Sequence, residues 1–378
     1  MLHVGYDIRP ALFDYAGVGR YVRELAVALT NLPDDEGPFL EMFASSWRGG
    51  RKIPPGLRKD RCRMHRGPLP GRVMELLNRV PGLDAGRVPA KVDVFHWTDY
   101  TYPAVRTAAR VMTLHDAAFV MDPQFHGWDT AKLLMRVRHA IAQADRVIVP
   151  SEPSRTDAEL LGVHDDQVVV VPHGVSPFFK PGPGRLGDGD YLLTVGTLEP
   201  RKNYLRTLLA MEKLWARDAA PDWVIIGRRG WDYEGFLERM EGSKYRSRIR
   251  WIEHLSDTEL LRHYQGALAF LFPSLHEGFG LAVLEAMACG VAPVVGEGTA
   301  PAWVAGDSAM LVVPKDVDSI AEGVERIVHE HAWRRQAAAV ALRRARTFTW
   351  ERTARETHAV YHQAVERHRA RGPVARPA

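Results

Sequence analysis

The hydrophobic residues of this chain follow two patterns, which predict short buried strands and amphipathic helices. Runs of consecutive apolar residues predict strands of a parallel sheet, because a strand covered on both faces needs no polar positions. Runs in which apolar residues recur every three or four positions predict helices, as at Leu205, Leu208 and Leu209. We predict strands at 2–6, 39–44, 92–97, 110–114, 146–149, 168–171, 191–195, 223–226, 249–252, 268–272, 292–295 and 310–313. We predict helices at 129–143, 154–161, 203–215, 233–241, 257–264, 318–330, 333–346 and 349–369, with a further helix that ends before Gly290.

The alternation of strands and helices predicts the fold class. Parallel strands joined by right-handed helical crossovers form α/β sheets with helices on both faces. The segment 177–190 is rich in glycine and proline, as linkers are, and the alternation restarts after it. We therefore expect two doubly wound domains, residues 1–172 and 173–348, with a cleft between them, and a tail at 371–378.

Composition limits the class of protein. The 378 residues are 46% hydrophobic and 25% charged, which is typical of a globular protein of two ordinary domains. No apolar run approaches the ~20 residues that span a bilayer, and the first residues lack the layout of a signal peptide. The two cysteines, Cys62 and Cys289, are far apart and form no metal-like or redox-like pair. We therefore expect a cytoplasmic protein.

The formal charge of +4 is unevenly distributed. Between Arg48 and Arg72, nine Lys and Arg residues accompany a single acid, Asp60. Such a segment is either a solvated loop or a surface for anionic lipid or a phosphate-bearing acceptor. A short amphipathic helix at 73–77 fits peripheral membrane contact. Nucleic acid is not expected as a partner, because no series of base-stacking aromatic residues accompanies the arginines.

The stretch 276–290 carries the most specific candidate chemistry. An acid, Glu277, is followed by a glycine-rich turn at 278–280, and a helix then begins near Leu281. Backbone amides at a helix N-terminus bind anions, and a neighbouring carboxylate suits hydroxyl groups. A second acid, Glu285, is either a ligand group or an acid on the helix surface. The stretch predicts a site for an anionic ligand with hydroxyls, such as a nucleotide-sugar.

Three further patterns are weaker on their own. Arg201 and Lys202 enter a helix, where cations oppose the helix dipole, so they favour a diphosphate ligand over a plain solvated pair. Gly17 and Gly19 form an incomplete dinucleotide fingerprint that is equally compatible with a tight turn. His115 follows a predicted strand, where side chains line a crevice; the alternative is a structural strand-end histidine.

The sequence does not predict a metal site. Asp188 and Asp190 are similar to the paired aspartates of metal-dependent sugar transferases, but they lie in the glycine-rich linker. Asp316 and Asp318 are typical of a helix start. The sequence has no cluster of His and Cys with the spacing of transition-metal ligands. We therefore expect no metal and no cofactor other than the donor substrate.

Together, these motifs resemble those of the family-4 retaining glycosyltransferases. They occur in the family's order and cover nearly the whole chain, and the part from Phe272 to Glu285 is the most specific. The opening, Asp7-Ile8-Arg9-Pro10 with Gly17 to Tyr21, is most similar to the mannosyltransferase-like branch that builds bacterial surface polysaccharides. The motifs are Gly17-x-Gly19, His115-Asp116, Glu199-Pro200-Arg201-Lys202-Asn203, Phe272-Pro273-Ser274 and Glu277-Gly278-Phe279-Gly280 with Glu285.

The resemblance implies a GT-B fold and a role for each motif. The first Rossmann-like domain, completed by the final helix at 349–370, would bind the acceptor, and the second would bind the nucleotide-sugar. Glu277 would bind the sugar hydroxyls and Glu285 the ribose hydroxyls. Arg201 and Lys202 would neutralise the diphosphate leaving group. His115 would lie near the reacting carbon and the acceptor. The remaining predicted contacts to the donor are made by the amides of Phe279, Gly280 and Leu281 and by the backbone at Gly17 and Gly19.

The resemblance also implies a reaction. A hexose, with mannose from GDP-mannose as the first choice, would pass with retained configuration to a glycan, lipid-linked or small-molecule acceptor. The departing phosphate would help to accept the proton, so Glu277 is not assigned as a nucleophile. This chain departs from the family pattern at two places. It has Thr197 where relatives have an arginine, and Pro301-Ala302-Trp303 where relatives have Pro-Glu, so it lacks the family's carboxylate there. A sugar-nucleotide epimerase of the same architecture and a non-catalytic nucleotide-sugar binder remain open as alternatives.

Overall fold

The computed structural model describes residues 1–12, 16–44, 54–66, 84–85, 90–121, 129–184 and 186–371. The chain forms two compact units. The first unit contains residues 1–117, 131–174 and 349–378, and the second contains residues 118–130 and 175–348. The sequence predicted domains at 1–172 and 173–348; the structure instead groups 118–130 with the second unit.

Among the described residues, the first unit contains a seven-stranded parallel sheet in the order β3-β2-β1-β4-β5-β6-β7. Strands β4 and β5 are buried along their whole length, as the absence of polar alternation predicted. The order reverses direction between β1 and β4, which makes their carboxyl ends the switch point of the sheet. The strands are β1 His3–Asp7, β2 Phe39–Phe43, β3 Cys62–His65, β4 Val94–Trp97, β5 Ala109–Thr113, β6 Arg146–Val149 and β7 Val168–Val170.

The helices that accompany the first sheet include the last helix of the chain. This helix, α13 (Trp350–Arg371), packs against α2 (Ala16–Thr30) and against strands β4, β5 and β6, which confirms the prediction that the C-terminal helix returns to the first domain. Its buried residues, among them Trp350, Ala354, Tyr361 and Ala364, recur at helical spacing. The helices are α1 Arg9–Leu12, α2 Ala16–Thr30, α4 Thr130–Gln143, α5 Glu152–Leu160 and α13 Trp350–Arg371; α3, Ala118–Met121, lies in the second unit.

The second unit contains a six-stranded parallel sheet in the order β10-β9-β8-β11-β12-β13. Its switch point lies between the neighbouring strands β8 and β11, so the loops after these strands meet at one edge. The strands are β8 Tyr191–Val195, β9 Asp222–Ile226, β10 Ile249–Ile252, β11 Ala267–Phe272, β12 Pro293–Gly296 and β13 Met310–Val312. The helices are α6 Tyr204–Trp215, α7 Glu234–Glu241, α8 Asp257–Gln265, α9 Leu281–Ala288, α10 Ala300–Ala305, α11 Val317–His329 and α12 His331–Ala345.

Several short elements were not predicted. Helices α1, α3 and α10 are too short to show a hydrophobic period. Strand β3, with the sequence Cys-Arg-Met-His, lies at the sheet edge and is only partly buried, so it has no continuous apolar run. No helix within the described ranges is long and apolar enough to cross a membrane.

Candidate functional site

The turn after β8 is fixed to the loop after β11. Asn203, at the start of α6, has a left-handed backbone with φ of 63°. Its side-chain amide donates hydrogen bonds to the carbonyls of Pro273, at 2.9 Å, and Pro314, at 2.6 Å. The amide of Leu275 donates to the carbonyl of Arg201 at 2.7 Å. These bonds hold three strand-end loops together and define where Arg201 and its neighbour point.

Four charged side chains meet in this turn. Glu277 accepts two charged hydrogen bonds. Arg201 Nη1 donates to its Oε2 at 2.9 Å, and Lys202 Nζ donates to its Oε1 at 2.6 Å. Arg201 Nε also lies 2.5 Å from Glu199 Oε1. All four side chains are largely buried, with Arg201 the most exposed at 18%. Two cations and two carboxylates therefore neutralise each other in a partly desolvated cluster. The structure thus brings together three predicted site residues, Arg201, Lys202 and Glu277.

The surroundings of this cluster limit how it can move. Lys202 Nζ lies 4.7 Å from the centre of the Phe272 ring, a cation–π contact. The Tyr204 hydroxyl donates to the carbonyl of Gly196 at 2.7 Å. Burial raises the pKa of Tyr204 well above its ordinary value, and the charges of Glu199 and Glu277 raise it further. Tyr204 therefore stays protonated and keeps its hydrogen bond.

Helix α9 begins at Leu281, and Gly280 is its N-cap residue. Gly280 has φ of 100°, and a Cβ atom there would lie 3.1 Å from Pro301 Cγ, so both backbone and packing require glycine. No side chain caps this helix. The amides of Val283 and Leu284 donate to the carbonyl of Gly280, whereas the first two amides of the helix precede the first bond within it. The helix N-terminus thus retains the donors that an anion needs.

Glu285 is not an acid on the helix surface. Its side chain is buried, with 5% exposure, on a helix whose neighbouring residues are apolar. The Tyr264 hydroxyl donates to Glu285 Oε2 at 3.0 Å. Burial, followed by the charge of Glu285, raises the pKa of the Cys289 thiol to about 12. The surface alternative for Glu285 is therefore wrong, whereas its role toward a ribose remains a prediction.

In the first unit, His115 follows β5 at the switch-point edge of the sheet. It is 9% exposed, and its Nε2 donates to the carbonyl of Thr98 at 2.9 Å. Burial lowers the pKa of His115, although the Thr98 carbonyl and the acids Asp99 and Asp116 act in the opposite direction. A neutral imidazole with the proton on Nε2 has an acceptor at Nδ1. His115 can therefore accept a hydrogen bond from a hydroxyl group.

A buried hydrogen-bond network behind His115 was not predicted. His96 Nδ1 lies 2.9 Å from the Tyr361 hydroxyl, and His96 Nε2 lies 2.7 Å from Thr113 Oγ1. Thr113 Oγ1 is also 2.9 Å from the Tyr21 hydroxyl. The Tyr21 ring meets His115 edge-on, with 5.0 Å between ring centres. The network therefore links the C-terminal helix to the side chain that packs against His115.

Asp99 is an acid at a strand end of the first unit that was not predicted as a site residue. It lies two residues after the end of β4, as His115 lies two residues after the end of β5. Burial raises the pKa of Asp99 and the charge of Asp7 raises it further, whereas a backbone hydrogen bond at Tyr100, the charge of His115 and that of Arg9 lower it. Its position at the end of a predicted strand is the sequence feature that could have identified Asp99 as a candidate site residue.

Gly17 and Gly19 lie within the first turns of α2, not in a loop before it. Gly17 is exposed, and a Cβ atom added there would meet nothing within 4 Å. Packing within the described chain therefore does not require glycine at position 17. An approach of these glycines to a phosphate remains a prediction.

The paired aspartates of the linker lie apart from the charged cluster of the second unit. Asp188 and Asp190 precede β8, at the opposite end of that strand from the Glu199 turn. Within the described ranges, the structure has no group of three or more His, Cys, Asp or Glu placed to hold a metal ion. Much of the basic segment, 48–53 and 67–72, and the predicted helix at 73–77 lie outside the described residues.

In the described part of the basic segment, two arginines are paired with acids. Arg58 Nη2 lies 2.7 Å from both Asp34 and Asp60, and Arg61 Nη2 lies 2.8 Å from Asp34. Hydrogen bonds from Arg61 and Arg58 lower the pKa of Asp34, so these ion pairs persist at neutral pH. The charges of these two arginines are therefore partly compensated within the first unit.

Two family descriptions match adjacent parts of this chain. The family described as glycosyltransferase family 4 matches residues 15–177, and that described as glycosyl transferases group 1 matches residues 176–344. An O-antigen chain mannosyltransferase B from Escherichia coli is 28% identical over 94% of this chain and 98% of its own length. A D-inositol 3-phosphate glycosyltransferase from Frankia alni is 28% identical over 96% of this chain and 98% of its own length.

The fold has close relatives among solved structures. A sucrose-phosphate synthase from Thermosynechococcus elongatus superposes with a TM-score of 0.75 at 21% identity. The match covers 96% of this chain and 99% of that one. At this identity the likeness concerns the fold, and it confirms the predicted arrangement of two Rossmann-like sheets.

Proposed function

This chain belongs to the family-4 glycosyltransferases, and from that membership we propose that it is a retaining hexosyltransferase in cell-surface polysaccharide or glycoconjugate synthesis. The proposed donor is GDP-mannose, and the acceptor is a glycan, lipid-linked or small-molecule hydroxyl. The mannosyltransferase among its relatives, similar over nearly the full length of both chains, supports the choice of sugar. The nucleotide-sugar epimerase and the non-catalytic binder receive no support from the family or from these relatives.

The observation that carries this proposal is the Arg201–Lys202–Glu277 cluster beside the N-terminus of α9. An arginine has five N–H donors and a lysine three, so the same side chains can hold a carboxylate and a diphosphate at once. The first-turn amides of α9 add donors for the anion. A diphosphate bound here gains charge as it departs, so these groups stabilise the transition state more than the ground state.

In the proposed reaction, the bond from the sugar's anomeric carbon to the phosphate oxygen breaks as the acceptor oxygen approaches the same face. The departing phosphate accepts the proton of the acceptor hydroxyl. Glu277 binds the sugar hydroxyls and is not the nucleophile, because both of its carboxylate oxygens are engaged by cations. His115, with a lone pair on Nδ1, orients the acceptor hydroxyl. The phosphate charge is carried by side chains and amides, so we propose that transfer requires no metal.

The remaining donor contacts follow the same proposal. Glu285 binds the ribose hydroxyls, and the backbone at Gly17 and Gly19 approaches the phosphates. The proposed location is the cytoplasm, where two unpaired cysteines stay reduced. Contact with the inner face of an anionic membrane, through the basic segment at 48–72, would bring a lipid-linked acceptor within reach.

A thermal-shift panel of GDP-, UDP-, dTDP- and ADP-sugars tests the donor assignment. A ligand that binds only the folded state raises the unfolding temperature with its concentration. We expect GDP-mannose to give the largest shift and to yield GDP when an oligosaccharide acceptor is added. A larger shift with another nucleotide would replace the proposed base. Turnover of the donor to an epimer without an acceptor would overturn the transferase assignment.

A further inference from the structure

Tyr264 makes a buried hydrogen bond to one of the proposed donor-binding residues. Tyr264 is the penultimate residue of α8 and has no exposed surface. Its hydroxyl donates to Glu285 Oε2 at 3.0 Å, across 21 residues of sequence. The bond joins α8 to α9, the helix whose N-terminus is the proposed diphosphate site. The tyrosine therefore acts on a carboxylate only four residues from the start of α9.

The position of the Tyr264 hydroxyl is fixed by its ring. The ring packs edge-on against Phe179, with 5.7 Å between ring centres, and at a tilt against Phe270, with 5.8 Å between ring centres. A tyrosine has two side-chain torsions, so a ring held on two sides has little freedom left. Helix α8 is anchored at its other end by Ser256 and Glu259, which form a reciprocal capping box. The hydroxyl is therefore a rigid donor.

Glu285 depends on such a donor. A carboxylate with 5% exposure is costly to bury unless hydrogen bonds compensate for lost water. It offers about four lone-pair sites, so a bond from Tyr264 restrains its rotamer and leaves capacity for further hydroxyl donors. A ribose presents two adjacent hydroxyl groups, which are such donors. Restraining the carboxylate before the ligand arrives reduces the entropy lost on binding.

We propose that Tyr264 is a positioning residue that holds Glu285 in the orientation required by the ribose hydroxyls of the donor, and that this pair makes the site selective for ribonucleotides. The inference rests on the proposed function, in which Glu285 binds ribose. Tyr264 itself does not touch the nucleotide. Its effect should therefore appear only with ligands that carry both ribose hydroxyls.

The test measures calorimetric binding of GDP and of 2′,3′-dideoxy-GDP, with the corresponding uridine pair measured in parallel. Tyr264→Phe removes the hydroxyl and keeps the packed ring. We expect it to weaken binding of the ribonucleotide roughly tenfold, as for a lost hydrogen bond to a charged group, and to leave the dideoxynucleotide unchanged. The ratio of the two affinities is independent of the fraction of folded protein. An equal loss for both ligands, or no loss, overturns the proposal.

Tyr191→Phe is the matched control. The Tyr191 hydroxyl donates to the carbonyl of His263 at 2.7 Å, so this variant also removes a tyrosine hydrogen bond to α8, away from Glu285. It should leave the ratio of the two affinities unchanged.

Glu285→Gln tests the ribose assignment separately from the role of Tyr264. If this substitution weakens binding of the ribonucleotide and the dideoxynucleotide equally, or of neither, the ribose assignment is wrong. If it weakens ribonucleotide binding selectively and Tyr264→Phe does not, only the positioning role is wrong. Added to Glu285→Gln, the substitution Tyr264→Phe should cause no further selective loss of ribonucleotide binding.

Discussion

The ammonium nitrogen of Lys202 lies 2.6 Å from Oε1 of Glu277, a residue 75 positions further along the chain. Arg201 holds the other carboxylate oxygen at 2.9 Å. The contact exists because β8 and β11 are neighbours in the sheet, so the loops at their carboxyl ends converge. Before any ligand binds, the two cations are therefore already compensated. A diphosphate would join an existing cluster of charges, which holds the cations in place at the cost of some affinity.

Replacing both cations tests the diphosphate assignment. We expect Arg201→Ala with Lys202→Ala to weaken nucleoside-diphosphate binding at least a hundredfold, because charge-assisted hydrogen bonds are lost and Glu277 is left to repel the ligand. Calorimetry with GDP and UDP measures the change. Unchanged affinity would refute the assignment.

The matched control is Lys213→Ala with Arg217→Ala. These residues pair with Asp318 and Glu325 on the surface of the same unit and give the same change in charge. They should leave nucleotide affinity within about twofold, because surface ion pairs contribute little.

Changing Glu277 should separate transfer from nucleotide binding. Glu277→Gln keeps the shape and removes the charge, so we expect the transfer rate to fall by a factor of roughly 10² to 10³, as the sugar loses an anionic acceptor. Nucleoside-diphosphate binding should be retained or become tighter, because the two cations lose their competing partner. Steady-state kinetics and calorimetry on the same variant measure both effects.

Glu325→Gln, which removes an exposed partner of Arg217, serves as the control and should change neither quantity. Normal turnover of Glu277→Gln would exclude a role for this carboxylate in sugar binding. Loss of nucleotide binding together with turnover would instead indicate that Glu277 organises the cations.

The sequence predicted the parts of this site that depend on strand order and local pattern. Arg201 and Lys202 follow one apolar strand, and Glu277 follows another, so α/β topology alone brings them to one edge of a sheet. The need for glycine at position 280 could also be inferred, since a tight turn before a helix favours a positive φ. The returning C-terminal helix came from the family resemblance, and the structure confirms it.

What the sequence did not predict depends on contacts between distant side chains. The residue pattern alone left Glu285 as either a ligand group or a surface acid, and only the packing of α8 shows that Tyr264 contacts it. The link from Tyr361 through His96 to Thr113 joins residues that no periodicity connects. The short helices were not predicted for a different reason, since four to six residues are too few to repeat a 3.6-residue hydrophobic period.

The buried histidines of the first unit predict a stability that depends on pH. Burial, with a smaller contribution from His115, lowers the pKa of His96 to about 3, and it lowers the pKa of His173 well below the ordinary value. As the pH falls below about 6.5, these two histidines therefore bind protons in the unfolded chain but stay neutral in the folded chain. Stability is fully present above about pH 6.5 and is lost as pH falls toward 3, at about 1.4 kcal/mol per pH unit for each such histidine.

Urea unfolding at a series of pH values between 7.5 and 5 measures this slope. His96→Gln removes one titrating group and keeps hydrogen-bonding capacity, so its slope should be shallower by about one histidine. His139→Gln, at an exposed position of α4 in the same unit, is the control and should preserve the slope. A slope of His96→Gln equal to that of the unchanged protein would show that His96 titrates normally in the folded state.

The basic segment predicts salt-dependent binding to anionic membranes. Each Lys or Arg near such a surface contributes about 1 kcal/mol, and the attraction is screened within a Debye length. Lys59→Glu with Arg63→Glu, at exposed positions, should therefore weaken co-sedimentation with anionic liposomes at low salt. Arg343→Glu with Arg346→Glu, also exposed but in the second unit, is the control for net charge. Binding that does not change with salt, or no binding at all, would contradict the prediction.

Asn203 combines a left-handed backbone with two hydrogen bonds from its side-chain amide to neighbouring loops, and two substitutions can separate these contributions. Asn203→Gly keeps the backbone conformation but leaves the carbonyls of Pro273 and Pro314 without their donor, at about 1–3 kcal/mol each. Asn203→Ala loses the same bonds and must also place a Cβ atom in a left-handed conformation, which costs a further 1–2 kcal/mol or so. Urea denaturation should therefore give both variants a lower free energy of unfolding than the unchanged protein, with the alanine variant the less stable.

Both substitutions of Asn203 should also weaken nucleoside-diphosphate binding, because the turn that carries Arg201 and Lys202 is no longer fixed to the loops after β11 and β13. If both variants bind nucleotide normally despite lower stability, the cations do not depend on this anchor, and the hydrogen bond from Leu275 to Arg201 is sufficient to hold the turn.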